Sequence, residues 1–349
     1  MEEKALKIAS VFLVLLTVVI CVMLPFFPAL RTWSSEMREQ RLAEEEYAQN
    51  RNEMQDLSIR EESGETGRLG QLTIRLPAGV DGSSVEVVND YVTQTVRVVI
   101  PGTDEAYFDS YPIAGSSSYI NTLSYATQGT EGIIEIVMNQ VYELDTGYGS
   151  GYYYFNFLTP QEVYDKVVVI DPGHGGRAPG ATKQGIREKD IDLAIALELQ
   201  EIFEESGEDI GVYFTRTDDS NPTFDQRVQL ANRAQADLFI SIHNNSMASG
   251  RMSGVHGTQV MYDESSEESK RFAQICLEEV TEELGSVDKG LVEGDSIYII
   301  RTSEVPVALI EVGFMTNQKE LKLLNSQEYQ QQAAQGIYSA ILRAFEEGY

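Results

Sequence analysis

From residue 166 onward strand-like and helix-like runs alternate, and no other feature of the sequence limits the fold so much. VVVID, GVYFTR, ADLFISIH, GTQVMY, SIYIIR and VPVALIEVGF are short, apolar and rich in β-branched residues. Between and after them come DIDLAIALELQEIFEES, TFDQRVQLANRAQ, EESKRFAQICLEEVTEEL and EYQQQAAQGIYSAILRAFEE, whose apolar positions recur at helical spacing. Such alternation predicts an α/β fold: an open, mostly parallel sheet flanked by helices on both faces, spanning 166–349. The first helix is expected to begin near Asp190 as its N-cap and to end before Gly207.

The preceding part of the chain has a different texture. Over 69–160, LTIRLPAG, SVEVVND, TVRVVIPG, SYINTLSYAT, GIIEIVMN and YYYFNFLTP are short β-rich runs punctuated by Gly, Pro, Asn and Asp. They predict a small all-β, sandwich-like domain. It has no His or Cys. Its tyrosines, Tyr148, Tyr152, Tyr153 and Tyr154, could stack glycans, although ordinary sheet positions are the simpler reading. Residues 34–68 are polar and are expected to be a spacer. Ile8 to Leu30 carries no charge, follows Lys4 and Lys7, and precedes Arg31 and Trp33. That length suits a transmembrane helix over 1–33, preferred to a cleaved signal peptide, and on either reading the bulk of the chain is exported.

Charge removes one class of partner. The chain has 26 basic and 55 acidic residues and a formal net charge of −29, against the Lys/Arg excess that nucleic acid requires. Two cysteines, Cys21 and Cys276, are too few for a cysteine metal site and badly placed for a disulfide.

The chemistry-bearing residues gather at one edge of the expected sheet. His174 follows the first strand in the loop DPGHGG, and His243 closes LFISIH. Glu311 closes VALIE, and Glu188 precedes the first helix. In open α/β sheets ligands bind at the C-terminal ends of the strands. Two imidazoles and a carboxylate suit a catalytic zinc with one position left for water, so His174, Glu188 and His243 are candidate ligands. Glu311, in an apolar strand, is the candidate general base. His256 is a third histidine with no evident role.

IDPGHGG, EKDIDLAIALEL, TRTDD, QRVQLAN, LFISIHNN and VPVALIEVGFMTN, in that order, closely resemble the zinc-dependent N-acetylmuramoyl-L-alanine amidases. The resemblance implies Zn2+ on His174, Glu188 and His243, Glu311 as catalytic glutamate, and peptidoglycan as substrate. It implies cleavage of the amide joining N-acetylmuramic acid to L-alanine. A zinc peptidase, a deacetylase or a non-catalytic wall-binding scaffold are the alternatives. Asn244 stands where the family usually has a small residue, and is expected to affect the cleft wall rather than metal binding. Some relatives insert an inhibitory helix in the segment matching 244–310, and no plug of that kind is expected here. The 69–160 region more loosely resembles the AMIN-like β modules of such amidases. No protein activator is identifiable from the sequence.

Overall fold

The computed structural model describes residues 37–45, 54–61 and 70–349. The alternating region forms one six-stranded sheet. Its strands are β1 (Lys166–Pro172), β2 (Ile210–Phe214), β3 (Leu238–Asn245), β4 (Thr258–Tyr262), β5 (Asp288–Glu293) and β6 (Val307–Phe314). They lie in the order β2-β1-β3-β6-β4-β5. β1 pairs in parallel with β2 and β3, β3 with β6, and β4 with β5, whereas β4 runs antiparallel to β6.

Six helices cover this sheet: α1 (Glu188–Ser206), α2 (Phe224–Ala234), α3 (Glu267–Leu284), α4 (Tyr298–Thr302), α5 (Gln318–Leu324) and α6 (Gln327–Glu346). Successive strand residues point to opposite faces, so an apolar run such as Val167–Ile170 supplies two cores at once. Val168 and Ile170 pack with Ile195 of α1, Phe272 of α3 and Ile337 of α6. Val167 and Val169 pack on the other face with Leu230 of α2 and Ile300 of α4.

Two local expectations are corrected. α1 starts at Glu188, with Arg187 as its N-cap, so the candidate ligand itself begins the helix. Gly207 ends it in the left-handed conformation, φ 71°. SIYIIR, read as a strand, contains the short helix α4, while the adjacent edge strand is DKGLVE. The β-branched residues that suggested a strand instead plug Ile299 and Ile300 into the core beside α2.

The β-rich region folds as two five-stranded sheets. One runs Gln55–Asp56, Ile120–Gln128, Glu131–Met138, Thr95–Pro101, Glu86–Asp90 across the sheet. The other runs Arg60–Glu61, Ala114–Gly115, Leu72–Arg75, Tyr152–Leu158, Glu143–Gly149. Leu72, Val98, Ile134, Phe155 and Phe157 share the core between them. Residues 55–56 and 60–61, expected within the spacer, therefore add edge strands to this module. Tyr153 is buried and Tyr154 lies across from Gly147 in the ladder, so these two serve the sheet, whereas Tyr148 and Tyr152 are exposed. The module meets the α/β unit through Glu143, whose carboxylate accepts hydrogen bonds from Tyr91 (2.8 Å) and Tyr213 (2.6 Å).

The expected single-pass membrane location is corrected. Among the described residues no helix is long and apolar enough to cross a membrane. The long helices α1, α3 and α6 bury one face on the sheet and expose charges on the other. Residues 1–33 and Cys21, on which that expectation rested, lie outside the described residues. Residues 37–45, expected in the spacer, are helical, and Ala43 is buried.

Candidate active site

β1 ends in a loop that carries His174 in the left-handed region, φ 59°, a conformation costing about 1–3 kcal/mol outside glycine. Two buried arginines hold the loop in that shape. Arg227 of α2 donates to the carbonyls of Pro172 (2.8 Å) and His174 (2.6 Å), and Arg216 donates to those of Pro172 (3.0 Å) and Gly173 (2.6 Å). The charge of Arg227 is met by Asp171 at 2.6 Å, which also accepts from Thr215 and Ser241. Burial works against the Asp171 charge, but Arg227 and the two hydroxyls hold its carboxyl below the usual range. At Gly173 a Cβ would run into the His243 ring, so the loop approaches β3 only because this residue is glycine.

The other candidates converge on His174. Glu188 Oε1 lies 3.1 Å from His174 Nε2 and 3.2 Å from His243 Nδ1. Its second oxygen accepts from the Ala181 amide at 2.6 Å. The imidazole rings meet edge to face, centroids 4.8 Å apart. His243 of β3 and Glu311 of β6 are direct partners in the parallel ladder, which places them side by side. Glu311 Oε2 is buried without a hydrogen-bond partner.

All four predicted site residues thus line one cleft of about 540 Å³, whose walls include Phe224, Tyr298 and Leu309. Three participants were not singled out beforehand. Asp192 joins His174, Glu188 and His243, with one ligand atom from each lying within 4.8 Å of the others. It sits one helical turn beyond Glu188, and an acid at i+4 was the available signal. Arg227 is the second. Glu39 is the third: its Oε1 is 3.0 Å from His174 Nδ1, although it comes from the far N-terminal side of the β module. Asn244 lines the cleft, but contrary to expectation it is not confined to the wall: its side chain donates to Asp192 (2.7 Å) and its backbone amide to the candidate ligand Glu188 (3.2 Å). His256 is exposed, hydrogen-bonded to the Gly254 carbonyl, and outside this cleft.

The electrostatics separate the carboxyls by role. Burial would raise Glu188, but the two histidines pull it far below the ordinary range, so it is ionised. Burial, then the charge of Glu188, pushes Asp192 well up. The same causes push Glu311 up to about 8. Several buried carboxyls around two imidazoles, with Asp192 Oδ2 and Glu311 Oε2 unpartnered, form a donor set that fits a divalent cation. Tetrahedral arms of about 2.0–2.1 Å set ligand atoms roughly 3.3 Å apart, near the Glu188–histidine spacings.

An open α/β sheet with two histidines and convergent carboxyls at its strand ends, lining one cleft, defines a metal-competent site. The chain belongs to the N-acetylmuramoyl-L-alanine amidase family, whose model matches residues 168–343, and its activity is that of these peptidoglycan hydrolases. It is 37% identical over 183 residues to the uncharacterized protein YqiI of Bacillus subtilis, covering 52% of this chain and 85% of that one. The germination-specific N-acetylmuramoyl-L-alanine amidase of the same organism is 33% identical over 196 residues, 52% of this chain and 81% of the relative. The crystal structure of an N-acetylmuramoyl-L-alanine amidase from Clostridium difficile 630 superposes with a TM-score of 0.50 at 33% identity. That match covers 53% of this chain and 98% of the other.

Proposed function

We propose that His174, Glu188 and His243 hold a zinc ion and that Glu311 is the general base that hydrolyses the amide between N-acetylmuramic acid and L-alanine. Bound zinc would supply Lewis acidity, polarising a carbonyl and allowing water to act as a nucleophile near neutral pH. Glu311 takes a proton from the attacking water and delivers it to the leaving amine of L-alanine. The raised pKa of Glu311 suits a group that must both accept and return a proton, and the cation's field would lower it toward the working pH. Glu188 would offset the charge of the ion it holds, and it accepts the Asn244 amide hydrogen bond that fixes its position. Asp192 stands behind the ligands, tied to β3 through Asn244.

The observation that carries this reading is the shared position of Glu188 Oε1 between both imidazoles, with Glu311 on the ladder rung of His243. The test is digestion of purified peptidoglycan by the intact protein, followed by mass spectrometry of soluble products. Stem peptides with a free N-terminal L-alanine are expected, and a chelator should suppress them. Glu311→Gln should retain zinc but lose at least about 100-fold in rate, the usual share of a general base. His174→Ala should lose zinc as well. Undiminished hydrolysis by Glu311→Gln would remove the base assignment.

A further inference from the structure

The nine helical residues 37–45, MREQRLAEE, lie on the mouth of the cleft and not on the β module that follows them in sequence. Their exposed side carries Met37, Arg38, Arg41 and Glu44, while Glu39, Gln40, Leu42 and Ala43 form the covered face at helical spacing. Ala43 is 1% exposed. Four contacts fasten the helix. Glu39 reaches His174 Nδ1 at 3.0 Å, and Gln40 Oε1 accepts from the Phe224 amide at the start of α2, 2.8 Å. Arg177, in the His174 loop, meets Glu45 at 3.0 Å and donates to the Leu42 carbonyl at 3.4 Å. Each anchor on the α/β unit is therefore a cleft wall or part of the loop that carries His174.

The Glu39 side chain is only 17% exposed and shares its cavity with Glu188, His243 and Glu311. A carboxylate buried there takes space and hydrogen-bonding capacity that an amide substrate needs. Tethering adds to this. Residues 46–53 separate the helix from Met54 of the module and can span at most about 3.3–3.6 Å each, so the helix stays near the cleft at high effective concentration.

We propose that residues 37–45 are an autoinhibitory strap of this chain, with Glu39 as a carboxylate plug that must leave before a glycan strand with its stem peptide can enter. The strap comes from outside the α/β unit, ahead of the β module. This inference rests on the amidase reading for what the cleft hydrolyses, but the docking itself does not depend on it.

Two variants of the full-length protein test it, one at the plug and one remote from the reacting groups. Glu39→Ala removes the carboxylate. Ala43→Arg puts a long cation on the covered face, where it cannot pack. Release of stem peptides from peptidoglycan should rise about tenfold in either variant, the scale of one charge-assisted hydrogen bond. Hydrogen exchange, read by mass spectrometry on the same proteins, should find amides of 37–45 protected in the parent and exchanging freely in both variants. Weak protection in the parent would overturn the docking. Full protection in the parent, lost in the variants without any gain in rate, would overturn the inhibition. If no form releases stem peptides, the amidase reading fails, and soluble muramoyl peptide replaces the polymer: binding stronger in the variants supports the strap, and equal binding overturns it.

Discussion

At the scale of single residues, the site depends on buried charge that is paired in some places and left open in others. Asp171 and Arg227 are the paired case, 2% or less exposed, and they hold the loop whose carbonyls Arg227 also grips. Breaking one partner of such a pair typically costs about 3–5 kcal/mol, so Arg227→Met should lower the urea midpoint strongly and loosen the His174 loop. The pH dependence has a definite sign. Because the Asp171 carboxyl is depressed in the fold, its stabilisation is present above the unfolded value near ~3.9 and disappears as pH falls through the folded one. Urea titrations of the parent and of Asp171→Asn at pH 7 and below pH 4 should therefore converge in acid. A constant gap between them would disprove this account. His174, His243 and Glu311 were legible in the sequence because two of only three histidines and an acid in an apolar run fell at strand ends, and Glu188 because it opens the run EKDIDLAIALEL. Asp192 was not, since an acid early in a helix is common on surfaces. Glu39 was hidden more deeply: its partner is a histidine on another unit, and local patterning carries no record of such a contact.

At the scale of elements, alternation and periodicity identified most of the sheet and its main helices because the central strands β1, β3 and β6 are apolar on both faces. The failures have physical causes. SIYIIR has strand-like composition, but its burial against α2 is satisfied equally well by one turn of helix. DKGLVE lies at the sheet edge, has no buried residue, and so lacks the apolar signal of its neighbours. The β1 loop shows how an element can depend on a missing atom. Gly173→Ala leaves every donor side chain in place but forces a methyl group against the His243 ring. Metal titration should show affinity falling tenfold or more, about 1.4 kcal/mol, with far-ultraviolet circular dichroism unchanged. Unaltered affinity would mean that the loop can move away at little cost.

Across the whole molecule, the β module and the α/β unit are joined through a small polar junction. Glu143 receives both the Tyr91 and Tyr213 hydroxyls, whose rings meet edge to face 4.9 Å apart, and Gln94 accepts from Arg233 at 2.9 Å. Glu143→Ala leaves two largely buried hydroxyls without their acceptor, at about 1–3 kcal/mol. Calorimetry should then resolve two separated unfolding transitions. An unchanged profile would show that Glu143 does not couple the units. The family model covers the α/β unit, and its fold was the more legible half, since periodicity and motif fall on the same residues. The junction was invisible beforehand because single tyrosines and an isolated glutamate carry no pattern.

The rung shared by His243 and Glu311 has a consequence for how this enzyme can vary. Val307, Ala308, Leu309 and Ile310 are all buried, and either side of β6 accepts an apolar residue. Exchanging one aliphatic for another in this run alters packing modestly. Deleting one would keep the strand apolar yet turn Glu311 toward the opposite face, away from the cleft. These four residues therefore work as a ruler: their number matters to the chemistry more than their identities do.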